Sequence, residues 1–291
     1  MLALQILIDG FAISSLYALA AVGFTLIFGV SGVLNVAHGG IMVVAALVGW
    51  FVAGELGFGT YIGTLAGILA GLLMAYATYF IVVRPIERSR AIPREETEIF
   101  ILTGTLLWGI MIEQLMAYIF TDNPVTLRPL IGGVVNIFGV RTPRNEIVIA
   151  AVSWVVIGLL WLLINRTQRG KALLAAAINP RGLTLLGFEL SRIYFLVWTI
   201  YGVLAGIAGV LLASFLGVAS SNTGPLTASA FAIVVLGGLG SVEGSLIAAY
   251  VVGYLETLTA YLVAPTLRPI PPLLLLILVL YFRPQGILGR R

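Results

Sequence analysis

Long apolar runs, each about the length a helix needs to cross a bilayer, recur along this chain and leave few folds open to it. Residues 6–28, 61–83, 99–120, 147–164 and 193–216 are near-continuous aliphatic, small and aromatic positions. Residues 41–53, 228–262 and 271–282 add further apolar stretches. Lipid offers no partner for a free backbone N–H or C=O, so such runs become helices. Composition agrees: 60% of the 291 residues are hydrophobic, 10% are charged, and the mean hydropathy is +1.10. A soluble domain averages about 25% charged residues, which makes a soluble enzyme, a disordered chain or a nucleic-acid binder a poor reading. The expected architecture is an all-α, polytopic bundle of about eight to ten crossings, forming a single membrane domain over residues 1–291. No Lys or Arg precedes the first run, which exceeds the length of a signal-peptide core and reads as a retained span.

The few charges orient the bundle. Twelve of the sixteen basic residues fall in residues 84–98, in residues 165–192 and in the tail after residue 282. Two spans separate the two loops, so both lie on one side, which the positive-inside rule makes cytoplasmic. Three apolar segments precede Arg84, which puts the N-terminus outside. After residue 192 the segments 193–216, 228–238, 244–262 and 268–282 return the tail to the cytoplasm, with the shorter pieces open to being half-helices.

Both halves contain a glycine-rich span, a break of small polar residues and a shorter apolar piece: compare GFTLIFGVSGVLNVAHGG (residues 23–40) with GVLLASFLGVASSNTG (residues 209–224). Paired interruptions of this kind mark either a central transport pathway built on an internal repeat or simple turns between spans. The first break carries Asn35 and His38, the second Ser220, Ser221, Asn222 and Thr223. An unpaired polar group in a membrane is costly, so these side chains are either bonded structurally or face an aqueous path. Asn35, His38, Ser220, Asn222 and Thr223 are therefore the candidate lining of a translocation pathway. Glu113 and Glu256 are intramembrane carboxylates and functional candidates by default, although each lies toward a span end, where a structural hydrogen bond serves equally. Gly63, Gly67 and Gly71, and the pair Gly202 and Gly206, have the spacing that lets helices approach closely.

Several chemistries are excluded. There is no Cys, and the single His38 cannot build a metal centre. No catalytic set stands at working spacing, so neither a catalytic residue nor a metal ligand is assigned. GGLGSVEG (residues 237–244) is not G-x-G-x-x-G, since Glu243 stands at the last position, and it reads as a tight turn. The only Lys, Lys171, has Asn165 and Ala172 where a phosphate-binding loop needs Gly and Ser or Thr. Any ATP-driven step must use another chain.

The loop TQRGKALLAAAINPRGLTLLGFELSR (residues 167–192) is basic yet half apolar. Asn179–Pro180 is a helix start and Gly187 a stop, which predicts a helix of about seven residues presenting Leu183, Leu185 and Leu186. Such a face docks either in the lipid interface or in a cleft of a cytosolic protein.

Four blocks give the chain a family resemblance. LYALAAVGFTLIFGVSGVLNVAHGG (residues 16–40) resembles the start of LivH-type permeases of branched-chain amino acid ABC importers, with Asn35, Ala37, His38 and Gly39 in place and Gly40 where many relatives have Glu. Residues 167–189 resemble the family's cytoplasmic signature, with Gly170, Ala172, Ala175, Asn179, Leu185 and Gly187 in register and Thr184 replacing the usual Ala. GGLGSVEGSLIAAYVVGYLE (residues 237–256) matches a third block through Gly237, Gly238, Gly240, Ser241, Gly244 and Glu256, and FRPQGILGR (residues 282–290) resembles the family ending. The resemblance implies a multi-pass permease of a bacterial or archaeal inner membrane, working by alternating access. It implies a second homologous permease, two cytosolic ATP-binding subunits and an extracytoplasmic solute-binding protein as partners. ATP is then used by those subunits and no cofactor is bound by this chain. The loop 165–192 becomes the element that couples to the ATPase, with Gly170, Ala172, Ala175, Asn179, Leu183, Leu185, Leu186 and Gly187 as its working residues. Gly39, Gly237, Gly238, Gly240 and Gly244 are then structural glycines. Urea, amides or other amino acids are alternative cargoes within the family, and an ion-coupled carrier using Glu113, Glu256 and His38 is the reading from outside it.

Overall fold

In the computed structural model, residues 1–291 are described apart from Thr121, Pro284, Arg290 and Arg291. Pro284 and Arg290 of the FRPQGILGR ending, and the terminal Arg291, thus lie outside the described residues. The chain opens with α1 (Leu2–Ser31), followed by α2 (His38–Trp50), which continues through a π-turn to Glu55. Next come α3 (Thr60–Ala77), joined by a second π-turn to the short α4 (Arg84–Arg88), and α5 (Thr97–Ile119). A hairpin of β1 (Val134–Ile137) and β2 (Val140–Pro143) leads into α6 (Arg144–Arg166), α7 (Gln168–Ile178) and α8 (Pro180–Leu185). The chain ends with α9 (Leu190–Phe215), α10 (Thr223–Gly237), α11 (Val242–Leu262) and α12 (Ile270–Phe282). Among the described residues eight helical segments are long and apolar enough to cross a membrane. The protein is a polytopic helical membrane protein, and the expected all-α architecture holds except for the hairpin.

Three local expectations change. Residues 121–146 read as a polar connection, but β1 and β2 pair antiparallel from Val134–Pro143 to Ile137–Val140, closed by Phe138 and Gly139 at positive φ. α6 begins at Arg144, so Asn145 and Glu146 are buried in its first turn instead of lying in a loop. The loop after α6 holds two helices where one was expected. α7 starts because Thr167 caps it, its Oγ1 accepting from the Gly170 N–H at 3.0 Å. The third change concerns α10, which starts at Thr223, five residues before the apolar run at 228. With 15 residues it is about 22 Å long, too short for a bilayer core of about 30 Å.

The two interrupted halves pack reciprocally. α1 lies antiparallel on α11, with Thr25 and Ser245 hydroxyls 2.5 Å apart and Gly253 seated against Ser14. α9 lies antiparallel on α3 in the same way, Thr199 bonding Tyr76 at 2.8 Å and Gly206 abutting Ile68 farther along. The glycine ladder makes this approach possible: a β-carbon at Gly67 or Gly71 would strike the backbone of Ala45 or Gly206. These glycines are used inside the chain, in close helix packing that lipid alone does not drive.

The two basic loops share one end of the bundle, where Arg84, Arg169, Lys171 and Arg192 border a common cavity. The GGLGSVEG segment is a close-packed turn between α10 and α11: Gly237 lies against Gly244 with no space for a β-carbon, and Ser241 Oγ caps α11 by accepting from the Gly244 N–H at 3.1 Å. Gly238 and Gly240 adopt φ of 103° and 82°, a region L side chains avoid. The tail folds back on this turn. Ile287 N–H donates to the Leu236 carbonyl at 2.8 Å and Leu288 N–H to the Gly237 carbonyl at 3.0 Å.

Candidate functional site

Each interrupted half restarts a helix deep in the bundle, and the two restarts meet. α2 begins at His38 and α10 at Thr223. The Gly39 N–H donates to Thr227 Oγ1 at 2.9 Å, and the Gly39 Cα face rests on the Thr223 carbonyl with no space for a side chain. Thr227 Oγ1 in turn donates to the Thr223 carbonyl at 2.9 Å. Two helix N-termini, each carrying about half a positive elementary charge, therefore converge.

The polar residues of the first break form a knot centred on Tyr201, eleven residues into α9. Asn35 Nδ2 donates to the Tyr201 hydroxyl at 2.9 Å, and Asn35 Oδ1 accepts from the Ala37 N–H at 3.1 Å. Having accepted from Asn35, that hydroxyl is free to give its own proton to His38 Nδ1, 2.9 Å away. The His38 ring also stacks on Phe24, with centroids 5.1 Å apart. Asn35, His38 and Tyr201 are fully buried. Both side chains are spent on hydrogen bonds that hold the loop from which α2 restarts.

Ser220 and Asn222 are likewise consumed by the second break. Ser220 donates to Asp122 Oδ1 at 2.6 Å, and Asn222 Oδ1 accepts from the Ala219 N–H at 2.7 Å. Thr223, itself buried, is a lining residue of a cavity beside the second break.

This cavity of about 340 Å³ lies between α1, the 34–36 loop, α5 and α10. Its walls are apolar, from Phe24, Leu34, Leu102, Leu106, Ile110 and Phe231, and its polar groups are Thr223, Thr227 and Glu113. Leu106, Ile110 and Phe231 of its wall are partly exposed, so the cavity is not sealed from its surroundings. Glu113 brings a carboxylate, and the start of α10 at Thr223 and Gly224 brings the positive end of a helix dipole. The arrangement fits a small zwitterion with an apolar side chain. The other intramembrane carboxylate, Glu256, is buried and accepts from the Tyr17 hydroxyl at 2.6 Å, away from this cavity. Asp9, buried like Glu256 and Glu146, escapes a sequence reading because it sits inside the first apolar run; Gln5 Nε2 donates to it at 3.1 Å and the Tyr261 hydroxyl also bonds it.

At the basic end, α7 and α8 form the helical loop. Asn179 starts α8 as expected, its Oδ1 accepting from the Gly182 N–H at 2.9 Å, and Gly187 ends it at φ 84°. The three leucines divide. Leu185 and Leu186 are 89% and 76% exposed, whereas Leu183 is 4% exposed and packs inward. The expectation that Leu183 is presented is thus corrected: it falls on the inner face of a helix whose outer face carries Leu185. Gly170 and Ala172 are also buried, Gly170 against the Leu163 and Ile164 carbonyls, and Ala175 is half-buried. Among the coupling candidates the outward-facing residues are Asn179, Leu185, Leu186 and Gly187.

The family described as branched-chain amino acid transport system / permease component matches residues 6–280. The chain is 28% identical to the high-affinity branched-chain amino acid transport system permease protein LivH of Salmonella typhimurium, over 99% of this chain and 96% of that protein. It is 30% identical to the permease protein BraD of the corresponding system in Pseudomonas aeruginosa, again over 99% and 96%. Its fold is similar to that of PsaBC from Streptococcus pneumoniae, solved in complex with a Fab, at a TM-score of 0.53 and 14% identity over 96% of this chain and 92% of the other. With the whole membrane domain matched end to end, this multi-pass plasma-membrane protein belongs to the branched-chain amino acid transport system permease family.

Proposed function

We propose that this chain is the permease subunit of an ABC importer that passes branched-chain amino acids, or related small solutes, across the inner membrane by ATP-driven alternating access. The observation that carries the cargo is the apolar cavity containing Glu113 beside the N-terminus of α10. An aliphatic side chain fits its walls, an ammonium group pairs with Glu113, and a carboxylate is favoured at the helix start. Relatives named for branched-chain amino acid transport support this reading.

The division of labour follows from what the chain lacks and presents. The absence of a phosphate-binding loop from the sequence supports ATP being bound and hydrolysed on separate chains, which the family resemblance makes two cytosolic subunits. α8 offers Leu185 and Leu186 to a groove on such a subunit. A second homologous permease completes the membrane unit, and an extracytoplasmic binding protein delivers the cargo. The test is uptake of radiolabelled leucine into proteoliposomes. The complex of permeases, ATPase subunits and binding protein accumulates leucine only with ATP. Accumulation by this chain alone, driven by an ion gradient, overturns the proposal.

A further inference from the structure

A second, larger cavity of about 1240 Å³ lies at the basic end, between α3, α4, α7, α8 and α9. Four cations, Arg84, Arg169, Lys171 and Arg192, border it, against one acid, Glu189. Glu189 is engaged by Arg192 at 2.6 Å, and Arg84 lies over the Phe80 ring at 5.3 Å. Arg169 and Lys171 have no ion-pair partner among the described residues, and Lys171 is the only Lys of the chain. Leu186 borders this cavity as well, but coupling two subunits through apolar side chains uses none of its charge.

The cavity is not only basic. Its upper wall is aromatic, with Tyr76 stacked on Phe195 at 4.9 Å between ring centroids and Phe80 below them. Tyr76 stands eight residues before Arg84, so the wall rises about 12 Å above the charged rim, well into the depth of the spans. It continues along α3 into Leu73, Leu69 and Leu65, which are exposed on the outside of the bundle. A cavity charged at its mouth and apolar toward the membrane matches a lipid, with its head at the surface and its chains alongside α3. A soluble anion leaves the aromatic wall unused, and a cytosolic protein does not reach it.

We propose that this cavity seats the head group of an acidic phospholipid of the cytoplasmic leaflet, held by Arg84, Arg169, Lys171 and Arg192 beneath the helices that face the energy-supplying subunit. Basic pockets between spans on the cytoplasmic side are suited to such head groups. The lipid bridges α3 to α7, and so ties the membrane bundle to the coupling loop.

The test uses the purified full-length chain, stripped of lipid in detergent and returned to either phosphatidylglycerol or phosphatidylcholine, with bound lipid counted by native mass spectrometry. Phosphatidylglycerol is retained in preference to phosphatidylcholine, and the double substitution Arg169→Gln/Lys171→Gln weakens its retention by roughly tenfold or more. Arg128→Gln/Arg141→Gln removes two exposed charges from outside the cavity and leaves retention unchanged. Equal retention of both lipids, or an equal loss in the control pair, overturns the proposal. So does full displacement by millimolar inorganic phosphate, which assigns the cavity to a free anion. Loss of the lipid when the ATPase subunit is added assigns it to a protein and overturns it as well. None of these readouts depends on transport, so they stand apart from the test of cargo.

Discussion

The Gly39 amide donates to Thr227 Oγ1 at 2.9 Å and so fastens the first turn of α2 to the first turn of α10, across 188 residues of sequence. Two helices that begin inside the bundle are tied at their starts, beside the cavity that carries Glu113. Gly39→Ala places a methyl group against the Thr223 carbonyl and Thr227. Overpacking of this kind costs about 1–3 kcal/mol. A lowered thermal midpoint together with reduced leucine uptake is expected, and Thr227→Ser, which keeps the hydroxyl, retains more of both than Thr227→Val.

Tyr201→Phe removes one oxygen and leaves two buried groups, Asn35 Nδ2 and His38 Nδ1, without a partner. Each orphaned group costs about 1–3 kcal/mol. The variant is expected to unfold well below the wild type in a detergent melting experiment. The control Tyr194→Phe, which removes a hydroxyl outside this knot, melts close to the wild type.

Substitutions in α8 separate stability from coupling. Leu183→Ala empties a buried position and is expected to destabilise by about 2–5 kcal/mol. Leu185→Asp and Leu186→Asp alter exposed positions, where stability changes stay within about 0.5 kcal/mol. They are expected to abolish cargo-stimulated ATP hydrolysis in the assembled complex. Normal stimulation in both aspartate variants removes α8 from the ATPase interface.

Glu113→Gln keeps the size of the side chain and discards its charge. Loss of a charge-assisted contact is worth about 1.5–3 kcal/mol, so leucine uptake is expected to fall by at least an order of magnitude while the melting temperature stays put. Ala228→Trp, on the rim of the same cavity, is expected to block uptake by volume alone. Unchanged uptake in both variants excludes this cavity from the path.

The sequence displays the spans because lipid demands an uninterrupted apolar run, and the last of them, Pro265–Phe282, ends where its apolar stretch ends. It also displays α8, since Asn179, Pro180 and Gly187 are local signals. What it hides is tertiary. Asn35 and His38 can be read as structural or as pathway residues, and nothing near them announces Tyr201, over 160 positions later, which shares their hydrogen bonds. For Glu113 the sequence leaves a functional and a structural role equally open, and only the fold shows that it lines a cavity together with the start of α10. The start of α10 is missed because Asn222, Thr223 and Gly224 are small and polar, the composition of a loop, although Thr223 is buried in the first helical turn. The leucines of α8 carry no mark of which one faces in, because a six-residue helix offers too few turns for a period to register.

The backward fold of the tail has a practical consequence. Through the amides of Ile287 and Leu288 the tail is bonded to the last turn of α10, not to α12 that precedes it. If α10 shifts during a transport cycle, residues 287 and 288 travel with it as passengers. A spin label placed at Leu288, which is exposed, is therefore a needle on the gauge of the last turns of α10, whose residues 232–237 are buried.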